Sequence, residues 1–316
     1  MSNLTEGEMS INRLSSFLYQ EGEVKPASLL QIQKHVYHLK TVSHEHFLLK
    51  RHSQKLRMEQ QWAFFVRQSS SVVISFQMFP NKRRYLYDGH YYWTLSPFIA
   101  GRKLNYRTEA DRKVALQTIR QFHKDTKGVK LSYPRRPEIF YERWSKRLYR
   151  FQTTEMIFHK YGYETLFYDI VRTAKMYLQL IRTLDWETGE IDALRTGTWS
   201  HGDVAAHNFL QYDNDVYLID YDLLSCSSTL HDYVQLGQRF LPYLNWDIDR
   251  LLAYHMVDES RVRAWLYALC IPSDVMRDWL YYIQRYSSHT QNYLIKMDAN
   301  WSKQRSFLKH VQNVLN

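Results

Sequence analysis

Residues 201–222 read HGDVAAHNFLQYDNDVYLIDYD, and this stretch decides the fold. Transfer of a γ-phosphoryl group needs one carboxylate that orients the acceptor hydroxyl and accepts its proton. It also needs an amide oxygen and a second carboxylate that hold magnesium on the nucleotide phosphates. Asp203, Asn208 and Asp220 supply these groups in that order. The stretch therefore predicts the phosphoryl-transfer centre of a kinase-like fold.

The spacing between Asn208 and Asp220 has a physical reason. Residues 209–212 and 216–219 are apolar, strand-like runs, and the polar residues 213–215 between them are typical of a turn. A hairpin of this length carries the chain out and back, so we expect Asp220 to return beside Asn208. Magnesium prefers oxygen ligands and needs only a few from the protein besides phosphate and water. The two side chains are therefore predicted to share one magnesium ion.

Each part of this pattern alone has a simpler interpretation. The triplet 201–203 is a common turn, and the acidic triplet 213–215 is ordinary loop chemistry. The ordered combination of acid, amide, hairpin and acid is far more specific. Residues 198–200 precede it as a short strand or turn that leads into the loop. We therefore interpret the region as the catalytic loop and metal-binding hairpin of a phosphotransferase.

The first hundred residues are predicted to form mainly strands with one helix. Short aliphatic and aromatic runs separated by polar turns indicate an antiparallel meander, and Asp88-Gly89 is a strong hairpin-turn signal in the last run. Residues 56–66 carry apolar side chains at helical spacing. The predicted strands lie at 28–33, 36–42, 47–50, 72–79 and 85–95. This pattern predicts a five-stranded sheet with one helix, the small lobe of a kinase.

Helical periodicity dominates after residue 107. Ala115, Ile119 and Phe122 line one face of a predicted helix that ends near Gly128, and residues 166–184 keep the spacing of a long buried helix. The C-terminal part continues as helices. We predict an α+β, bilobal protein-kinase-like fold. Residues 1–96 form the small antiparallel-sheet lobe, and residues 97–316 form the large, mainly helical lobe with the catalytic loop and hairpin.

Length and cysteine content bound the class of protein. A chain of 316 residues suits a two-lobed domain. Cys226 and Cys270 lie far apart without a metal-ligand pattern, which fits a reducing compartment and two buried side chains. Residues 1–10 lack the apolar segment of a signal peptide, and no run of about 18 apolar residues predicts a membrane span. We expect a cytoplasmic protein, or one assembled from the cytoplasm onto something larger, and no membrane partner.

The net charge of +10 is unevenly distributed. Residues 101–200 hold 20 Lys and Arg against 12 Asp and Glu, whereas residues 201–316 hold 10 against 13. The densest basic run lies between residues 130 and 150. It is either a solvated helical face, which is the simpler interpretation, or a surface for an anionic acceptor or acidic protein. No RNA- or DNA-binding module is present, so a nucleic-acid partner is not expected.

The small lobe should also contribute to nucleotide binding. A kinase carries a phosphate-gripping lysine on its third strand, and Lys50 follows the apolar run 47–49. Glu59 is the only carboxylate on the following helix, so it is the predicted partner of Lys50. Leu95, Ser96 and Phe98 lie in the predicted connection between the lobes, where Pro97 interrupts the strand. Backbone groups there are predicted to bind an adenine edge, although a plain interlobe turn is the alternative.

These motifs together resemble the aminoglycoside phosphotransferase and choline kinase superfamily. The resemblance rests on the catalytic loop 201–208, on Leu218-Ile219-Asp220-Tyr221-Asp222, on Phe122-His123 and on the hinge 98–101. Within it the sequence is most similar to the spore-coat kinase-like proteins of Bacillus, the CotS type, because of residues 216–222 and 230–233. The resemblance extends from about Leu29 to Phe240.

The resemblance implies an ATP- and magnesium-dependent phosphotransferase that acts on a hydroxyl of a small molecule or spore-coat component. Asp203 is then the catalytic base, Lys50 the phosphate-contacting lysine, and Asn208 and Asp220 the magnesium ligands. Asp232 would brace the catalytic loop with His201, although an acidic residue at a helix start is an equally good interpretation of Asp232. Asp222 would contact a second metal or the acceptor.

One feature departs from kinases in general. A glycine-rich loop usually covers the phosphates between the first two strands, because glycine lets backbone amides approach closely. The corresponding turn here is Gln33-Lys34-His35 and has no glycine. Two hypotheses therefore remain: an active phosphotransferase, and a catalytically weak or inactive kinase-like structural protein of the spore coat with coat proteins as partners.

Overall fold

The computed structural model describes residues 11–136, 138–285 and 289–315. The N-terminal part combines one antiparallel sheet with two helices. In chain order its elements are α1 (Ile11–Gly22), β1 (Pro26–Gln33), β2 (Val36–Thr41), β3 (His46–His52), α2 (Lys55–Arg67), β4 (Leu86–Tyr87) and β5 (Tyr92–Pro97). The strand order is β1-β2-β3-β5-β4, and every pairing is antiparallel.

Alternation along the strands gives this sheet two different faces. Leu39, Leu49 and Leu95 point to one face and, with Leu14 and Leu18 of α1, form a small hydrophobic core. Residues of the opposite parity, such as Val36, Leu48 and Lys50, point to the other face because side chains alternate along a strand. That second face lines a cleft toward the rest of the molecule.

Two predictions for this region were wrong. Helix α1 was not expected. Leu14 and Leu18 are buried on one side of this helix. Residues 72–79 form no strand; they make only isolated bridges from Val73 to Leu218 and from Gln77 to Leu95. The sheet has five strands because the predicted run 85–95 supplies two of them, separated by the turn at Asp88. Val72, Val73 and Phe76 instead pack against the large core, whereas Phe79 belongs to the small core.

The larger part of the chain is mainly helical. It begins with the short strand β6 (Arg102–Lys103), which pairs with the hairpin predicted between Asn208 and Asp220. Helices α3 (Glu109–Thr126), α4 (Phe140–Gln152), α5 (Glu155–Lys160), α6 (Glu164–Arg182) and α7 (Trp186–Thr196) follow. The predicted helices near 115–128 and 166–184 correspond to α3 and α6. Thr108 caps α3 by accepting a hydrogen bond from the Asp111 N–H, and Gly197 ends α7 with φ +68°.

Four short strands frame the catalytic loop. Their bounds are β7 (Trp199–Ser200), β8 (Phe209–Tyr212), β9 (Asp215–Leu218) and β10 (Ser225–Cys226). β8 and β9 form the predicted hairpin, with Asp213 in the left-handed region at φ +51°. β7 pairs with β10, so the chain segments before and after the hairpin lie side by side. The remaining helices are α8 (Leu230–Phe240), α9 (Ile248–Leu252), α10 (Glu259–Leu269), α11 (Ser273–Arg285) and α12 (Thr290–Leu315).

Helix α2 belongs to the large hydrophobic core rather than to the small one. Phe64 of α2 lies 4.8 Å from Trp199 between ring centroids, and Phe65 lies 5.1 Å from Tyr221. The predicted division at residue 96 stays a prediction, but the packing attaches α2 to the C-terminal part. Cys226 and Cys270 are buried and unpaired, as predicted. Among the described residues no helix is long and apolar enough to cross a bilayer.

Candidate active site

The catalytic loop leaves β7 through a glycine that no other residue replaces easily. Gly202 has φ +83°, and a Cβ placed on it would lie 2.5 Å from the Leu223 carbonyl oxygen. The loop thus passes close to the segment that follows Asp220. This close approach brings Asp203 to the surface of a cleft while its neighbours Val204 and Ala205 are buried.

Asp232, at the start of α8, fixes the backbone of this loop. Its carboxylate accepts hydrogen bonds from the N–H groups of His201 and Gly202 at 2.8 and 2.9 Å. It also accepts one from His123 Nε2 at 2.8 Å. Burial opposes ionisation of Asp232, yet these donors outweigh it and lower its pKa. The residue is fully buried, so these partners rather than water stabilise its charge.

His201 ties the catalytic loop to the strand that delivers Asp220. Its Nε2 lies 3.0 Å from the carbonyl oxygen of Ile219, and its Nδ1 accepts the Asp203 N–H at 3.3 Å. Burial lowers the pKa of His201 despite nearby carboxylates, so the ring is neutral near pH 7. These partners assign the proton to Nε2, which donates to the Ile219 carbonyl.

Asp203 faces a cleft on the far side of the loop from the sheet. Arg239 of α8 donates from Nη2 to Asp203 Oδ1 at 2.9 Å, which fixes the plane of the carboxylate. Oδ2 is the oxygen that this ion pair does not use. The side chain keeps 31% of its surface exposed, so a bound hydroxyl can reach it.

The hairpin returns Asp220 beside Asn208, as the spacing predicted. The Ile219 N–H donates to the Asn208 carbonyl at 3.0 Å, which fixes the two residues' backbones against each other. The Asn208 amide nitrogen donates to the Asp203 carbonyl at 3.0 Å, so its oxygen remains for other partners. Asp220 has φ +65°, a conformation that costs of order 1 kcal/mol in a residue other than glycine. Such strain is common at ligand-binding sites.

Lys50 contacts Asp220 and Asp222 after the hairpin rather than α2. Its Nζ lies 2.9 Å from Asp220 Oδ1 and 2.8 Å from Asp222 Oδ1. Burial would lower the pKa of Lys50, but the two carboxylates outweigh it and raise that pKa. Burial likewise opposes ionisation of Asp222, while Lys50 lowers its pKa overall. The lysine, Asp220 and Asp222 therefore form one charged cluster at the base of the sheet.

The predicted pair of Lys50 with Glu59 was wrong. Glu59 is exposed and lies 3.7 Å from Lys55 in a helical i,i+4 pair. Gln61 occupies the inner face of α2 instead, and its Nε2 donates to the Tyr221 carbonyl at 2.8 Å. Helical spacing identifies Gln61, because it lies with the buried residues 58, 62 and 65 on one side of α2. Glu59 falls outside that stripe.

A cleft of about 320 Å³ separates the inner face of the sheet from the catalytic hairpin. Lys50, Asn208 and Asp220 lie along it. Apolar side chains line its two walls: Ile32, Val36 and Leu48 from the sheet, and Leu210 and Ile219 from the hairpin. A flat aromatic base fits between such walls. The sequence prediction missed these apolar residues because, taken singly, they are ordinary strand residues.

The structure places the three predicted hinge residues differently, and their role in nucleotide binding stays a prediction. Ser96 and Phe98 line the cleft, whereas Leu95 is buried in the small core and its carbonyl accepts the Gln77 N–H at 2.8 Å. The Phe98 N–H donates to the carbonyl oxygen of His46 in β3 at 3.2 Å. Because backbone groups alternate in direction along an antiparallel strand, Ser96 also bonds toward β3 and the Pro97 carbonyl points away from it.

The hinge has two further backbone groups that β3 does not bind, the Pro97 carbonyl and the Ile99 N–H. Within the described parts of the chain, the Ile99 N–H makes no backbone hydrogen bond. These two groups are additional candidates for contact with a base, beside the predicted Ser96 and Phe98. Pairing in the sheet, which the sequence does not specify residue by residue, decides which groups point away from β3.

The turn between β1 and β2 is a tight hairpin at Lys34 and His35. Arg51 of β3 holds it by donating from Nε to His35 Nδ1 at 3.2 Å, and the Arg51 N–H donates to the His35 carbonyl at 2.8 Å. Burial, Arg51 and the lysines nearby lower the pKa of His35. The turn therefore presents side chains, not glycine amides, above Lys50.

The basic run 130–150 divides into two sets. Arg135 donates to the Asp222 carbonyl at 2.8 Å, and Arg143 and Arg147 of α4 line the cleft that contains Asp203. Lys146 pairs with Glu138 at the exposed surface. The solvated-face interpretation thus holds for only part of the run. Half-buried arginines of the other part lie next to the catalytic loop.

Comparison with known proteins places this geometry in context. No protein-family model matches the sequence, and no curated protein sequence matches it either. Solved structures do match. An aminoglycoside phosphotransferase from Alicyclobacillus acidocaldarius superposes with a TM-score of 0.71 at 15% identity, covering 93% of this chain and 94% of that one. The chain has the fold of these kinases.

Other neighbours belong to the same group of small-molecule kinases. A spectinomycin phosphotransferase matches with a TM-score of 0.62 at 14% identity, over 95% of this chain and 94% of that chain. An ethanolamine kinase from Plasmodium vivax matches with a TM-score of 0.57 at 12% identity, over 97% and 92%. The spectinomycin enzyme was solved with ADP and spectinomycin. At such identities the likeness establishes the bilobal, kinase-like α+β fold and nothing finer.

Proposed function

We propose that this protein is an ATP- and magnesium-dependent phosphotransferase that moves the γ-phosphoryl group to a hydroxyl of a small molecule or coat component. One observation carries the proposal. Asp203 lies on a loop fixed by Asp232 and His201, while Lys50, Asn208 and Asp220 line a cleft with apolar walls on the other side of that loop. The arrangement separates a nucleotide position from an acceptor position, with the proposed proton acceptor between them.

The residues present fit a nucleotide with magnesium. The Asn208 amide oxygen and the Asp220 carboxylate are the oxygen ligands that magnesium prefers. The described residues contain no group of three or more His, Cys, Asp or Glu able to hold a metal by themselves. An ion held by Asn208 and Asp220 therefore needs phosphate oxygens to complete its ligands. Bound magnesium would neutralise developing charge on the phosphates.

The chain's own groups would then divide the work. Lys50 would leave its contacts with Asp220 and Asp222 to bind a phosphate, because a phosphate offers the same charge-assisted bond. Asp203 would orient the acceptor hydroxyl through Oδ2 and accept its proton. The acceptor oxygen forms the new bond to phosphorus as the bond between that phosphorus and ADP breaks. Arg239 would hold the Asp203 carboxylate in position during this exchange.

A non-catalytic structural role in a spore coat is the second candidate, with coat proteins as partners and assembly from the cytoplasm. The glycine-free turn at Lys34 and His35 favours it, because this turn offers few backbone amides to the phosphates. The spore-coat context itself rests on sequence resemblance alone. Retention of Asp203, Asn208 and Asp220 together favours the enzyme.

The decisive experiment measures nucleotide binding and turnover separately. Thermal unfolding is followed with ATP, with and without magnesium, for the wild type and Asp203→Asn. ADP release is then measured with a panel of hydroxyl compounds. We expect magnesium-dependent stabilisation of both proteins and ADP release only from the wild type, since Asp203 acts on the acceptor rather than on the nucleotide.

Asp220→Asn serves as the matched variant on the metal side. It should lose the magnesium-dependent part of the stabilisation, whereas Asp203→Asn keeps it. If ATP with magnesium stabilises neither protein at millimolar concentration, the phosphotransferase proposal fails and the structural role is favoured. If Asp203→Asn releases ADP as fast as the wild type, Asp203 is not the proton acceptor.

A further inference from the structure

The cleft that contains Asp203 is lined by more positive than negative side chains. It encloses about 230 Å³ between the catalytic loop, α4, α8 and α11. Arg143, Arg147, Arg239 and Arg277 line it, against the carboxylates of Asp203 and Asp274. A second cleft of about 330 Å³ shares Arg143, Arg147 and Arg277 and adds Lys146 and Arg150. An arginine-lined path therefore leads from the proposed proton acceptor to the surface.

Two of these arginines already have carboxylate partners. Arg239 pairs with Asp203 at 2.9 Å. Arg277 pairs with Asp274 at 2.8 Å and with Asp278 at 3.0 Å. The positive charge of these two side chains is thus balanced within the protein. They position the walls of the cleft and leave little charge for a ligand.

Among the described residues, Arg143 and Arg147 have no ion-pair partner of this kind; Glu138, which also lines the second cleft, acts on Arg143 only at longer range, as Asp274 and Asp278 do on Arg147. In the parts of the chain that the structure describes, neither guanidinium has a carboxylate oxygen within 4.0 Å. Arg147 donates to the carbonyl and hydroxyl of Ser273, and Arg143 lies over the Phe140 ring at 5.2 Å. These contacts orient the side chains without neutralising them. The buried Nε of Arg143 has no hydrogen-bond partner at all among the described residues.

Partial burial of both guanidinium groups is energetically unfavourable for their charged form. Burial lowers the pKa of Arg143, and burial together with Arg277 and Arg143 lowers the pKa of Arg147 to about 10. Half-buried cations that repel one another are unfavourable unless an anion compensates them. Arginine is the side chain that binds phosphate and carboxylate groups with paired hydrogen bonds.

We propose that the acceptor is an anionic hydroxyl compound whose phosphate or carboxylate group binds Arg143 and Arg147 while its hydroxyl contacts Asp203. The inference rests on the proposed phosphotransferase function and names the substrate class of the same site. The hydroxyl oxygen forms the bond to the γ-phosphorus of ATP, the bond from that phosphorus to ADP breaks, and the proton passes to Asp203. The anionic group keeps its bonds throughout.

A neighbouring cavity suggests the competing substrate class. It encloses about 730 Å³ and is lined by Asp274 and Asp278 as well as by Lys296 and Lys303. A cationic acceptor would use those carboxylates. Both are already paired with Arg277, however, and Asp203 is not among the described residues that line this cavity. The charge next to Asp203 therefore favours an anion.

Binding of inorganic phosphate tests the proposal without requiring turnover. Calorimetric titration of phosphate is carried out with the nucleotide site filled by AMP-PNP and magnesium, for the wild type, Arg143→Gln and Arg147→Gln. We expect binding to the wild type and affinity about ten- to a hundredfold weaker in each variant, because each loses a charge-assisted contact. Arg147→Lys, which keeps the charge but not the paired geometry, should fall between.

Arg172→Gln is the matched control, because it removes one exposed arginine of α6 far from the cleft and should leave phosphate affinity unchanged. Equal phosphate affinity in the wild type, Arg143→Gln and Arg147→Gln would overturn the proposal, as would no binding to the wild type at millimolar phosphate. Loss of AMP-PNP binding in the arginine variants would also overturn it, since these residues would then serve the nucleotide.

Turnover assays distinguish a carboxylate from a phosphate group on the acceptor. ADP release is compared for glycerol, glycerate, glycerol phosphate and aminopropanediol, which share a hydroxyl and differ in charge. We expect an anionic member to exceed glycerol at least tenfold in kcat/KM, and Arg147→Gln to reduce that advantage. Preference for aminopropanediol would overturn the proposal. If magnesium–ATP also fails to stabilise the protein, the phosphotransferase function has failed, whereas titration of phosphate without nucleotide still shows whether Arg143 and Arg147 bind an anion.

Discussion

Asp232 shows how one buried side chain can organise a whole loop. Its carboxylate accepts hydrogen bonds from three donors in two different segments. These are the N–H groups of His201 and Gly202 and the ring of His123. Asp232 and His201 are fully buried, so the Asp232 carboxylate has no water as an alternative partner. An unpaired buried donor costs about 1–3 kcal/mol. The geometry of Asp203 therefore depends on a residue that never touches a substrate.

Asp232→Ala is predicted to destabilise the protein by about 3–5 kcal/mol, since it breaks a buried charged network. Asp232→Asn should cost less, because it keeps one acceptor oxygen and the same volume. Urea unfolding of both variants measures the loss. Asp192→Asn removes an exposed carboxylate of α7 and should change stability by less than about 0.5 kcal/mol. A loss below about 1 kcal/mol in Asp232→Ala would show that the loop does not need this support.

His52 connects stability to pH. Its Nε2 lies 2.8 Å from the Thr94 hydroxyl, and burial, followed by Lys50, lowers its pKa to about 4. In the unfolded chain the pKa is about 6.5. Between these values the unfolded state binds more protons, so stability is lost as pH falls from about 6.5 to about 4. The full loss is about 3 kcal/mol, at 1.36 kcal/mol for each pKa unit.

Unfolding by urea at several pH values checks this prediction. His52→Gln should show a shallower pH dependence than the wild type, by up to about 1.4 kcal/mol per pH unit. His201 remains in both proteins, so its own contribution cancels in the comparison. His310→Gln, which alters an exposed side chain of α12, is the control and should keep the wild-type slope. Identical slopes in the wild type and His52→Gln would contradict the prediction.

At the scale of elements, the sequence predicts best where a pattern is both local and chemically constrained. The hairpin β8–β9 was predicted from apolar runs around a polar turn, and the structure returns Asp220 to Asn208 as expected. Helix α6 follows from its apolar spacing alone. In these cases the information lies within about twenty residues, so tertiary contacts only confirm it.

Prediction fails where the deciding contact is distant in sequence. The run 72–79 has strand-like composition, yet its backbone makes isolated bridges to Leu218 and Leu95, and its side chains divide between the large and the small core. Glu59 and Gln61 differ in role because α2 turns its Gln61 face toward Tyr221, about 160 residues away. The hinge groups likewise depend on which strand edge each residue faces. No short motif records these pairings.

The role of the α4 arginines also could not be assigned from the sequence. The basic run was visible in the sequence, but its simpler interpretation as a solvated face could not be separated from a functional one. Packing of α4 against α11 separates them, because it brings Arg147 to Ser273 and leaves Lys146 at the surface. Charge density alone is therefore a weak guide, whereas charge that stays unbalanced after packing is informative.

Across the whole molecule, hydrophobic packing and chain order do not coincide. The small core consists of the outer face of the sheet with α1, whereas α2, although it lies between β3 and β4 in sequence, packs in the large core. The sheet and the helical lobe therefore meet along the cleft lined by Lys50 and Asp220, with α2 attached to the helical side of it. Lys50 belongs to the sheet, whereas Gln61 is bonded to Tyr221 after the hairpin.

This packing predicts two cooperative units, with α2 in the larger one. Leu39→Ala should speed hydrogen exchange in β1–β3 and leave α3 protected, because Leu39 lies only in the small core. Phe64→Ala should speed exchange in α3 as well as α2, since Phe64 contacts Trp199 and Phe122. Each variant should lose about 2–5 kcal/mol in its own unit. Native-state hydrogen exchange of both proteins measures the pattern; equal acceleration in β1–β3 and α3 by Leu39→Ala would instead mean a single unit.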